Sequence, residues 1–317
     1  MKNKISICLA TYNGEKYLKE QLDSLVNQTI SPYEVIVQDD CSTDNTVGIA
    51  RQYMDKLNLK IYLNEINLGF TKNFESVLQK ATGDLIAPCD QDDIWKSDKL
   101  EKLSGLIGEH SLIYADSLLV NSEAESLHQS LSQKLKNNFI DSQSALHFIF
   151  DNSVSAHSML FKKELLEYIF PFPSITYFDA YIGAVAASLD GVVFLDESLV
   201  LYRQHNTNTL AKKKKQKLSL FAKIKTKLQK KYDANQRLVA QVDEFLSIQT
   251  INQKDHQILV ELKSHLELFE KCWFNFRLFN LYFANKNKFF AISTRNKFVM
   301  ALKKSIGYKL YKVAPFL

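Results

Sequence analysis

Short apolar runs and helical patterns alternate along the first 120 residues of the chain. Each apolar run is brief and ends at polar residues, which predicts buried strands at 4–10, 33–39, 59–63, 84–89 and 112–120. Between the runs, apolar residues recur at three- and four-residue intervals, which predicts helices at 15–28, 42–57, 71–81 and 97–109. This alternation indicates an α/β fold, in which helices flank a mostly parallel sheet.

The pattern is less regular beyond residue 120. Residues 121–138 are polar and predict a loop. Helices are predicted at 141–150, 162–170 and 176–189, and two short strands within 191–205. From residue 212 onward the pattern is helical and rich in lysine.

Polar clusters follow three of the predicted strands. "TYNGE" follows the first strand, "DDCSTD" the second and "DQDD" the fourth. The carboxyl ends of parallel strands meet at one edge of a sheet, and ligands of such folds bind outside that edge. The three clusters are therefore predicted to form one site.

The cluster "DQDD" places Asp90, Asp92 and Asp93 within four positions. Mg²⁺ and Mn²⁺ prefer oxygen ligands and commonly join one or two carboxylates to the phosphates of a substrate. A turn that caps the helix at 97–109 would use the same residues. The position of the cluster at a strand end, facing two other polar clusters, favours the metal.

The other two clusters offer groups that can bind a nucleotide. Asp39 or Asp40 can accept a hydrogen bond from a pyrimidine N3–H or a ribose hydroxyl, and the backbone of the turn at 11–14 can meet a base. Local structure would use the same residue types. In particular, Ser42 or Thr43 is predicted to cap the helix that follows.

Charge is distributed unevenly within a net charge of +5. Residues 1–211 hold 17 Lys and Arg against 28 Asp and Glu, a net charge of −11, whereas residues 212–317 hold 23 against 7, a net charge of +16. The four cysteines form no CxxC pair, so a zinc site is not expected. An acidic working domain is predicted to precede a basic region that meets an anionic partner.

The N-terminal apolar run, Ile5 to Ala10, is shorter than the apolar region of a signal peptide. No run approaches the roughly 18 apolar residues of a spanning helix. The sequence therefore predicts a cytoplasmic protein, peripheral on the inner face of the cell membrane.

Taken together, five segments resemble the family 2 glycosyltransferases with the GT-A fold, and in particular their bacterial rhamnosyltransferase-like branch. The segments are "ATYNGEKYLKEQLDSLVNQT", "EVIVQDDCSTDNT", "NLGFTKNF", "GDLIAPCDQDDIWKSDKL" and "LYRQHNTN". They extend from residue 4 to about 210 in the order of the family. The combination is specific, although no single segment is.

The resemblance implies a set of site residues. The nucleotide-sugar contacts it implies are Thr11, Tyr12, Asn13, Glu15, Asp40, Asn67, Lys72, Asp90, Gln91 and Arg203. Asp92 and His205 would hold Mn²⁺ or Mg²⁺, and Asp93, Trp95 and His157 would meet the acceptor. Lys72 would equally serve as a solvated helix lysine, and His205 as a strand-end histidine bonded to a carbonyl.

The resemblance also implies a catalytic base at the start of a later helix, where this chain has "YFDAY" with Asp179. Family members commonly place an aromatic residue after this acid, whereas Ala180 stands here, and Ala156 and His157 replace a common glycine-containing turn. An inverting transfer needs one base, because the metal replaces the acid that a hydrolase uses. An acid that favours the helix N-terminus would occupy the same place as Asp179.

The basic region at 211–317 interleaves lysine with aromatic residues, as in "CWFNFRLFNLYFANKNKFFAI". Such a surface can lie on an anionic membrane. It can also pack on the catalytic core or on a second copy of the chain, and nucleic-acid binding is a third alternative, although no such motif is visible. Membrane association is the prediction retained, with a possible homo-oligomer and no nucleic acid.

These inferences predict a catalytic domain at 1–210, with a nucleotide-sugar half at about 1–110 and an acceptor half at about 111–210, followed by a basic helical region at 211–317. The expected activity is metal-dependent, inverting transfer of a sugar from a nucleotide-sugar donor to a lipid-linked saccharide in cell-surface polysaccharide synthesis. The expected donor is dTDP-L-rhamnose, and next a UDP-hexose. The rival functions are a metal-dependent phosphotransferase or nucleotidyltransferase, and a catalytically degenerate GT-A domain acting as a membrane-bound assembly partner.

Overall fold

The computed structural model describes residues 3–205, 220–269, 271–307 and 309. The strands within these residues are β1 (Ile5–Thr11), β2 (Glu34–Asp39), β3 (Leu59–Leu63), β4 (Leu85–Cys89), β5 (Ile94–Trp95), β6 (Leu112–Val120), β7 (Ser126–Ser130), β8 (Met159–Lys162) and β9 (Val192–Arg203). The helices within them are α1 (Leu18–Val26), α2 (Thr46–Arg51), α3 (Phe70–Leu78), α4 (Lys99–Leu106), α5 (Leu131–Leu135), α6 (Leu166–Ile169), α7 (Phe178–Ser188), α8 (Leu220–Leu246), α9 (Gln253–Leu266), α10 (Phe276–Ala284), α11 (Lys286–Phe289) and α12 (Lys297–Lys304).

The strands form one mixed sheet in the order β3-β2-β1-β4-β8-β6-β9-β5, and β7 pairs with β6. The first four strands in this order run parallel, because helices return the chain to the same edge after each strand. β8 is antiparallel to both β4 and β6. The parallel half thus gathers the loops after β1, β2 and β4 at one edge.

Alternate side chains of each buried strand face opposite layers of helices. On β1, Ile7 and Leu9 belong to one apolar cluster with Leu22 of α1 and Leu100 of α4. Cys8 belongs to a second cluster, on the other side of the sheet, which includes residues of α3 and α7. This two-residue period, buried on both sides, explains the continuous apolar runs of the parallel strands.

Several predicted elements need correction. Residues 121–138 are not a simple loop, because they contain β7 and α5, and 191–205 forms the single strand β9. Within 141–150 the helical turn is a 3₁₀ helix at Ala145–Phe148. α2 begins at Thr46, and Ser42 does not cap it, because the Ser42 hydroxyl donates to Asp39 instead. The pairing that decides these segments comes from distant strands and cannot be read from local pattern.

The C-terminal helices share an apolar core with the sheet. Phe245 of α8, Leu259 of α9 and Phe290 lie in the same buried cluster as Phe148 and Ile182. The domain boundary predicted between residues 210 and 211 falls outside the described residues. Among the residues that are described, no helix is both long and apolar enough to cross a membrane.

Candidate active site

Hydrogen bonds tie the three polar loops together at the carboxyl edge of the sheet. The backbone N–H of Asn13 donates to the Ser42 hydroxyl at 2.8 Å, and the Asn13 side-chain oxygen accepts from the N–H of Thr43 at 2.8 Å. The Glu15 carboxylate accepts from the N–H of Asn45 at 2.9 Å. Asn13 and Glu15, both predicted nucleotide-sugar contacts, therefore join the loop after β1 to the loop after β2.

Gln91 joins the loop after β4 to the loop after β1. Its amide accepts from the Tyr12 N–H at 2.8 Å and donates to the Tyr12 carbonyl at 2.9 Å, as a neighbouring strand would. A Cβ on Gly14 would lie only 2.2 Å from the Gln91 side-chain oxygen, so this approach requires glycine. Gln91 acts here on backbone groups, while the Tyr12 ring is half exposed.

Two buried aspartates at the end of β2 have different partners. Asp39 accepts from the Thr11 hydroxyl at 2.8 Å. Thr11, a predicted nucleotide-sugar contact, is itself buried. Asp40 accepts from the backbone N–H groups of Leu68 and Gly69 at 2.7 and 2.8 Å. The structure thus places Asp40 beneath the segment that begins α3.

The same segment holds two further predicted contacts. Asn67 is exposed and donates to the Asp40 carbonyl at 2.9 Å. Lys72 is exposed on α3, where its ammonium pairs with Glu75 at 3.0 Å. Asn67 therefore lies beside Asp40 at the cleft, whereas Lys72 adopts the arrangement of a solvated helix lysine.

His205 and Asp92 lie together, as the predicted metal pair requires. Nε2 of His205 lies 2.8 Å from Oδ2 of Asp92, although 113 positions separate the two residues. The His205 ring stacks on Tyr17, with 5.0 Å between the ring centroids. The residues just beyond β9 therefore place an imidazole next to the loop after β4. This loop, residues 90–93, is here called the acidic loop.

A second cluster of possible metal ligands combines two aspartates of the same loop with His157, which lies on a 3₁₀ turn before β8. Nδ1 of His157 is 3.9 Å from Asp90 and 4.0 Å from Asp93, and ligand atoms of the three residues lie within 4.8 Å of one another. Nε2 of His157 pairs with the Ser117 hydroxyl at 2.9 Å, which directs Nδ1 toward the carboxylates. Burial lowers the pKa of His157 to about 3, so its imidazole is neutral.

The three predicted acceptor contacts are all buried. Asp93 and Trp95 are 0% and 2% exposed, and His157 is 4% exposed. Trp95 lies on β5, which pairs with β9. The Lys99 ammonium lies over the Trp95 indole, 3.1 Å from the ring centroid. In this arrangement these residues organise the acidic loop and cannot touch an acceptor.

Arg203 is also buried and does not face a diphosphate. Its guanidinium donates to the carbonyls of Asp92 and Ser122 at 2.9 and 2.7 Å, and to the Glu20 carboxylate at 2.6 Å. Its backbone N–H donates to Asp93 at 3.0 Å. Arg203 therefore fixes the acidic loop from below, a role that the resemblance did not indicate.

Asp179 is the second residue of α7, and its side chain is partly buried. Burial raises the pKa of Asp179 to about 6. Burial also raises the pKa of Asp90 to about 8, with repulsion from Asp92 and Asp179 adding to the effect.

A divalent cation fits the charge of this edge of the sheet. Among the described residues, Oδ2 of Asp93 is buried without a hydrogen-bond partner, and burial raises the pKa of Asp93 well above its usual range. The carboxylates of Asp90, Asp92 and Asp93 lie here with the imidazoles of His157 and His205, and oxygen and imidazole donors are those that Mn²⁺ and Mg²⁺ accept. Asp92 with His205, or Asp90 with Asp93 and His157, would hold the ion.

Sequence reasoning missed Ser117, Glu20, Lys99 and Tyr17, which surround the acidic loop. Lys99 donates to the His157 carbonyl at 2.6 Å and is fully buried. Arg203 lies over the Tyr17 ring at 4.5 Å. Glu20 lies on α1, Lys99 on α4 and Ser117 on β6, and Tyr17 directly precedes α1. The only sequence signal for these surroundings was the "YRQH" segment, whose charged residues lie next to a strand end.

Comparison with known proteins gives the class of this fold and site. Residues 6–170, which is more than half of the chain, match the family model described as "Glycosyl transferase family 2". The chain belongs to this family. It is 39% identical over 120 residues to the poly(ribitol-phosphate) beta-N-acetylglucosaminyltransferase TarS of Staphylococcus aureus, a match covering 37% of this chain and 20% of TarS.

A putative teichuronic acid biosynthesis glycosyltransferase, TuaG of Bacillus subtilis, is 35% identical over 113 residues, covering 35% of this chain and 44% of TuaG. The chain thus spans between a fifth and a half of the length of these two relatives. Among solved structures, a TarS fragment in complex with UDP-GlcNAc matches with a TM-score of 0.59 and 19% identity, over 98% of this chain and 92% of the fragment. A mannosyltransferase from Pyrobaculum calidifontis, in complex with GDP-Man and Mn²⁺, matches with a TM-score of 0.52 and 17% identity, over 96% of this chain and 75% of its own. The architecture is the GT-A fold.

Proposed function

We propose that this protein is an inverting, metal-dependent transferase that moves a sugar from a nucleotide-sugar donor to a hydroxyl of a cell-surface polymer. One observation carries the proposal: at the carboxyl edge of the parallel strands, ligand atoms of Asp90, Asp93 and His157 lie within 4.8 Å of one another, and Nε2 of His205 lies 2.8 Å from Asp92. A divalent ion held by these groups could bind the diphosphate of the donor.

The residues suggest a division of labour. Asp179 would take the proton from the acceptor hydroxyl as that oxygen attacks the anomeric carbon, and a base with a pKa of about 6 is ionised at neutral pH. The bond from the anomeric carbon to the diphosphate breaks on the opposite face of the sugar. A divalent ion at the acidic loop would neutralise charge on the leaving diphosphate. Asn67, which is exposed, could contact the nucleotide, whereas the buried Asp40 would hold the backbone of the segment before α3 in place.

The relatives favour a UDP-sugar as donor. TarS is named for N-acetylglucosamine transfer and its fragment was solved with UDP-GlcNAc. We therefore place a UDP-hexose or UDP-N-acetylhexosamine ahead of dTDP-L-rhamnose. TarS and TuaG are named for wall polymers, which supports a cell-surface polymer as the acceptor class.

Calorimetric titration with UDP, dTDP, GDP and CDP, each with and without Mn²⁺, tests the donor site. We expect Mn²⁺-dependent binding of UDP in preference to the other nucleotides. Tighter binding of dTDP would instead support the rhamnosyl donor. A folded sample that binds none of the four would support the non-enzymatic assembly partner.

Two substitutions separate metal binding from proton transfer. Asp92→Asn is expected to weaken Mn²⁺-dependent UDP binding at least tenfold, whereas Asp179→Asn is expected to preserve it and to abolish sugar transfer to a polymer fraction from bacterial envelopes. Transfer that survives in folded Asp179→Asn would mean that another residue is the base. Release of a phosphorylated or nucleotidylated product would indicate the phosphotransferase alternative.

We also propose that the enzyme works at an anionic membrane surface, on a lipid-linked acceptor. Six exposed apolar residues, here called the aromatic face, lie on or beside α10 and α12: Trp273, Phe276, Phe283, Phe298, Val299 and Leu302. The rings of Phe283 and Phe298 contact each other, with 6.0 Å between their centroids, and both contact Phe279. Residues 271–317 hold 10 Lys and Arg and no Asp or Glu, which suits anionic headgroups around an inserted aromatic surface.

Sedimentation with vesicles of phosphatidylglycerol or phosphatidylcholine tests this location. The protein is expected to sediment with phosphatidylglycerol vesicles and to be released by salt. Phe276→Ser with Phe283→Ser is expected to lose this binding, while Met54→Ser, at an exposed residue elsewhere, keeps it. Unchanged binding of the double variant would refute the assignment, and conversion of a dimer to a monomer would make the face a contact between two copies.

A further inference from the structure

The chain reaches Asp179 through a short segment that follows α6. Residues 170–177 carry the sequence "FPFPSITY" and connect α6 to α7. Tyr177, the N-cap residue of α7, makes no side-chain hydrogen bond to the helix. Within the first turn the Asp179 carboxylate accepts from the Ala180 N–H at 2.7 Å, while the segment that precedes the helix depends on partners from elsewhere in the chain.

Glu244 of α8 supplies most of these partners. Its Oε1 accepts from the backbone N–H groups of Ser174 and Ile175 at 2.9 and 2.8 Å. Its Oε2 accepts from the N–H of Thr176 at 2.9 Å and from the Thr176 hydroxyl at 2.7 Å. One carboxylate thus holds three consecutive amides immediately before α7.

The same face of α8 makes two neighbouring contacts. Arg237, two helical turns before Glu244, donates to the Ile175 carbonyl at 3.2 Å. Gln241 donates to the carbonyl of Ile149 at 3.2 Å. Residues 237, 241 and 244 are spaced so that they lie on one face of α8. This polar face contacts the part of the chain that contains the proposed base.

We propose that Glu244 is a positioning residue for the catalytic base: its carboxylate, supplied by the C-terminal helical region, sets the start of α7 and thereby the place of Asp179. The inference rests on the proposed function, because it requires Asp179 to act as the base. It goes beyond the family match, which ends at residue 170.

The physical basis is the number of amides that one side chain satisfies. Without the carboxylate, three N–H groups and the hydroxyls of Ser174 and Thr176 lose their acceptor, and the segment at 174–176 gains alternative conformations. Asp179 lies three residues beyond Thr176, on the first turn of α7. A displacement of about 1 Å in a catalytic group commonly lowers turnover about 100-fold.

Hydrogen exchange tests the contact without any substrate. In the wild-type protein, peptides containing the amides of 174–176 are expected to exchange slowly. In Glu244→Ala the same peptides are expected to exchange at least about tenfold faster, while peptides from β1 and β4 keep their rates. Glu244→Gln retains one acceptor oxygen and is expected to fall between the two, and it serves if the alanine variant does not fold. Unchanged exchange at 174–176 in both variants would overturn the proposal.

Turnover tests the consequence for the base. With the donor that calorimetry identifies and an envelope polymer fraction as acceptor, Glu244→Ala is expected to lower kcat about 10- to 100-fold with donor affinity unchanged, and Glu244→Gln to restore part of the loss. Asp243→Asn, an exposed neighbour on α8 that pairs with Lys263, is the matched control. Full kcat in Glu244→Ala, alongside inactive Asp179→Asn, would refute the positioning role alone. Activity in Asp179→Asn would refute the proposed base itself.

Discussion

Replacing Arg203 by lysine keeps the positive charge but is expected to lower the free energy of unfolding substantially. The guanidinium satisfies the carbonyls of Asp92 and Ser122 and stacks on Tyr17, whereas a single ammonium can reach only one of these carbonyls. A buried carbonyl that loses its donor costs about 1–3 kcal/mol, and the lost stacking about 0.5–1 kcal/mol. The ion pair with Glu20 adds little, because half of the Glu20 side chain is exposed.

The expected loss is therefore about 2–4 kcal/mol in the free energy of unfolding, measured by urea denaturation. Mn²⁺-dependent nucleotide binding should also weaken, because the Asp92 carbonyl is one of the groups released. Glu20→Gln is the control and should lose no more than about 1 kcal/mol. A lysine variant within 0.5 kcal/mol of wild type, with unchanged nucleotide affinity, would show that the Arg203 contacts do not fix the acidic loop.

Three further predictions follow from the same structure. Because Asp179 must be ionised to act as a base and its pKa is raised to about 6, kcat/KM should fall about tenfold per pH unit below that value in a pH–rate profile; a flat profile from pH 5 to 7 contradicts this role. Gly14→Ala should displace the Gln91 amide and weaken nucleotide binding in calorimetry, since the added Cβ would lie 2.5 Å from its side-chain carbon; unchanged affinity would show that the clamp is dispensable. Gly183→Ala should destabilise α7 by about 1–3 kcal/mol in thermal unfolding, although alanine favours helices, because the Cβ would lie 2.8 Å from the buried Phe148 ring; a raised melting temperature would contradict the packing.

The parallel half of the sheet could be predicted because its signal is local. β3, in this half, matches the predicted run at 59–63 residue for residue, and β6, in the other half, matches the run at 112–120. In these strands the apolar run and the polar residues that end it carry the information. By contrast, β5 has two residues and β8 has four, too few for any periodicity, and both are defined by antiparallel partners far along the chain.

The site could be predicted in outline for the same reason. Polar clusters at strand ends converge in any parallel sheet, so the juxtaposition of the loops carrying Asp40, Asp90 and Asp92 follows from topology. The contribution of His157 could not be derived this way, because a 3₁₀ turn before an unpredicted strand brings it to Asp90 and Asp93. Whether Arg203 faces a ligand or the core depends on side-chain direction, which spacing alone does not fix.

The apolar cluster that joins the C-terminal helices to the sheet has a consequence for how such proteins diverge. Phe148 and Ile182, which lie before residue 205, pack in the same cluster as Phe245 and Leu259 of the C-terminal helices. A recombination event that joined residues 3–205 to an unrelated partner would expose this surface and remove the acceptor of the amides at 174–176. The helices from residue 220 onward therefore cannot be exchanged independently of residues 3–205. In related sequences, substitutions in these two parts of the chain are expected to occur together.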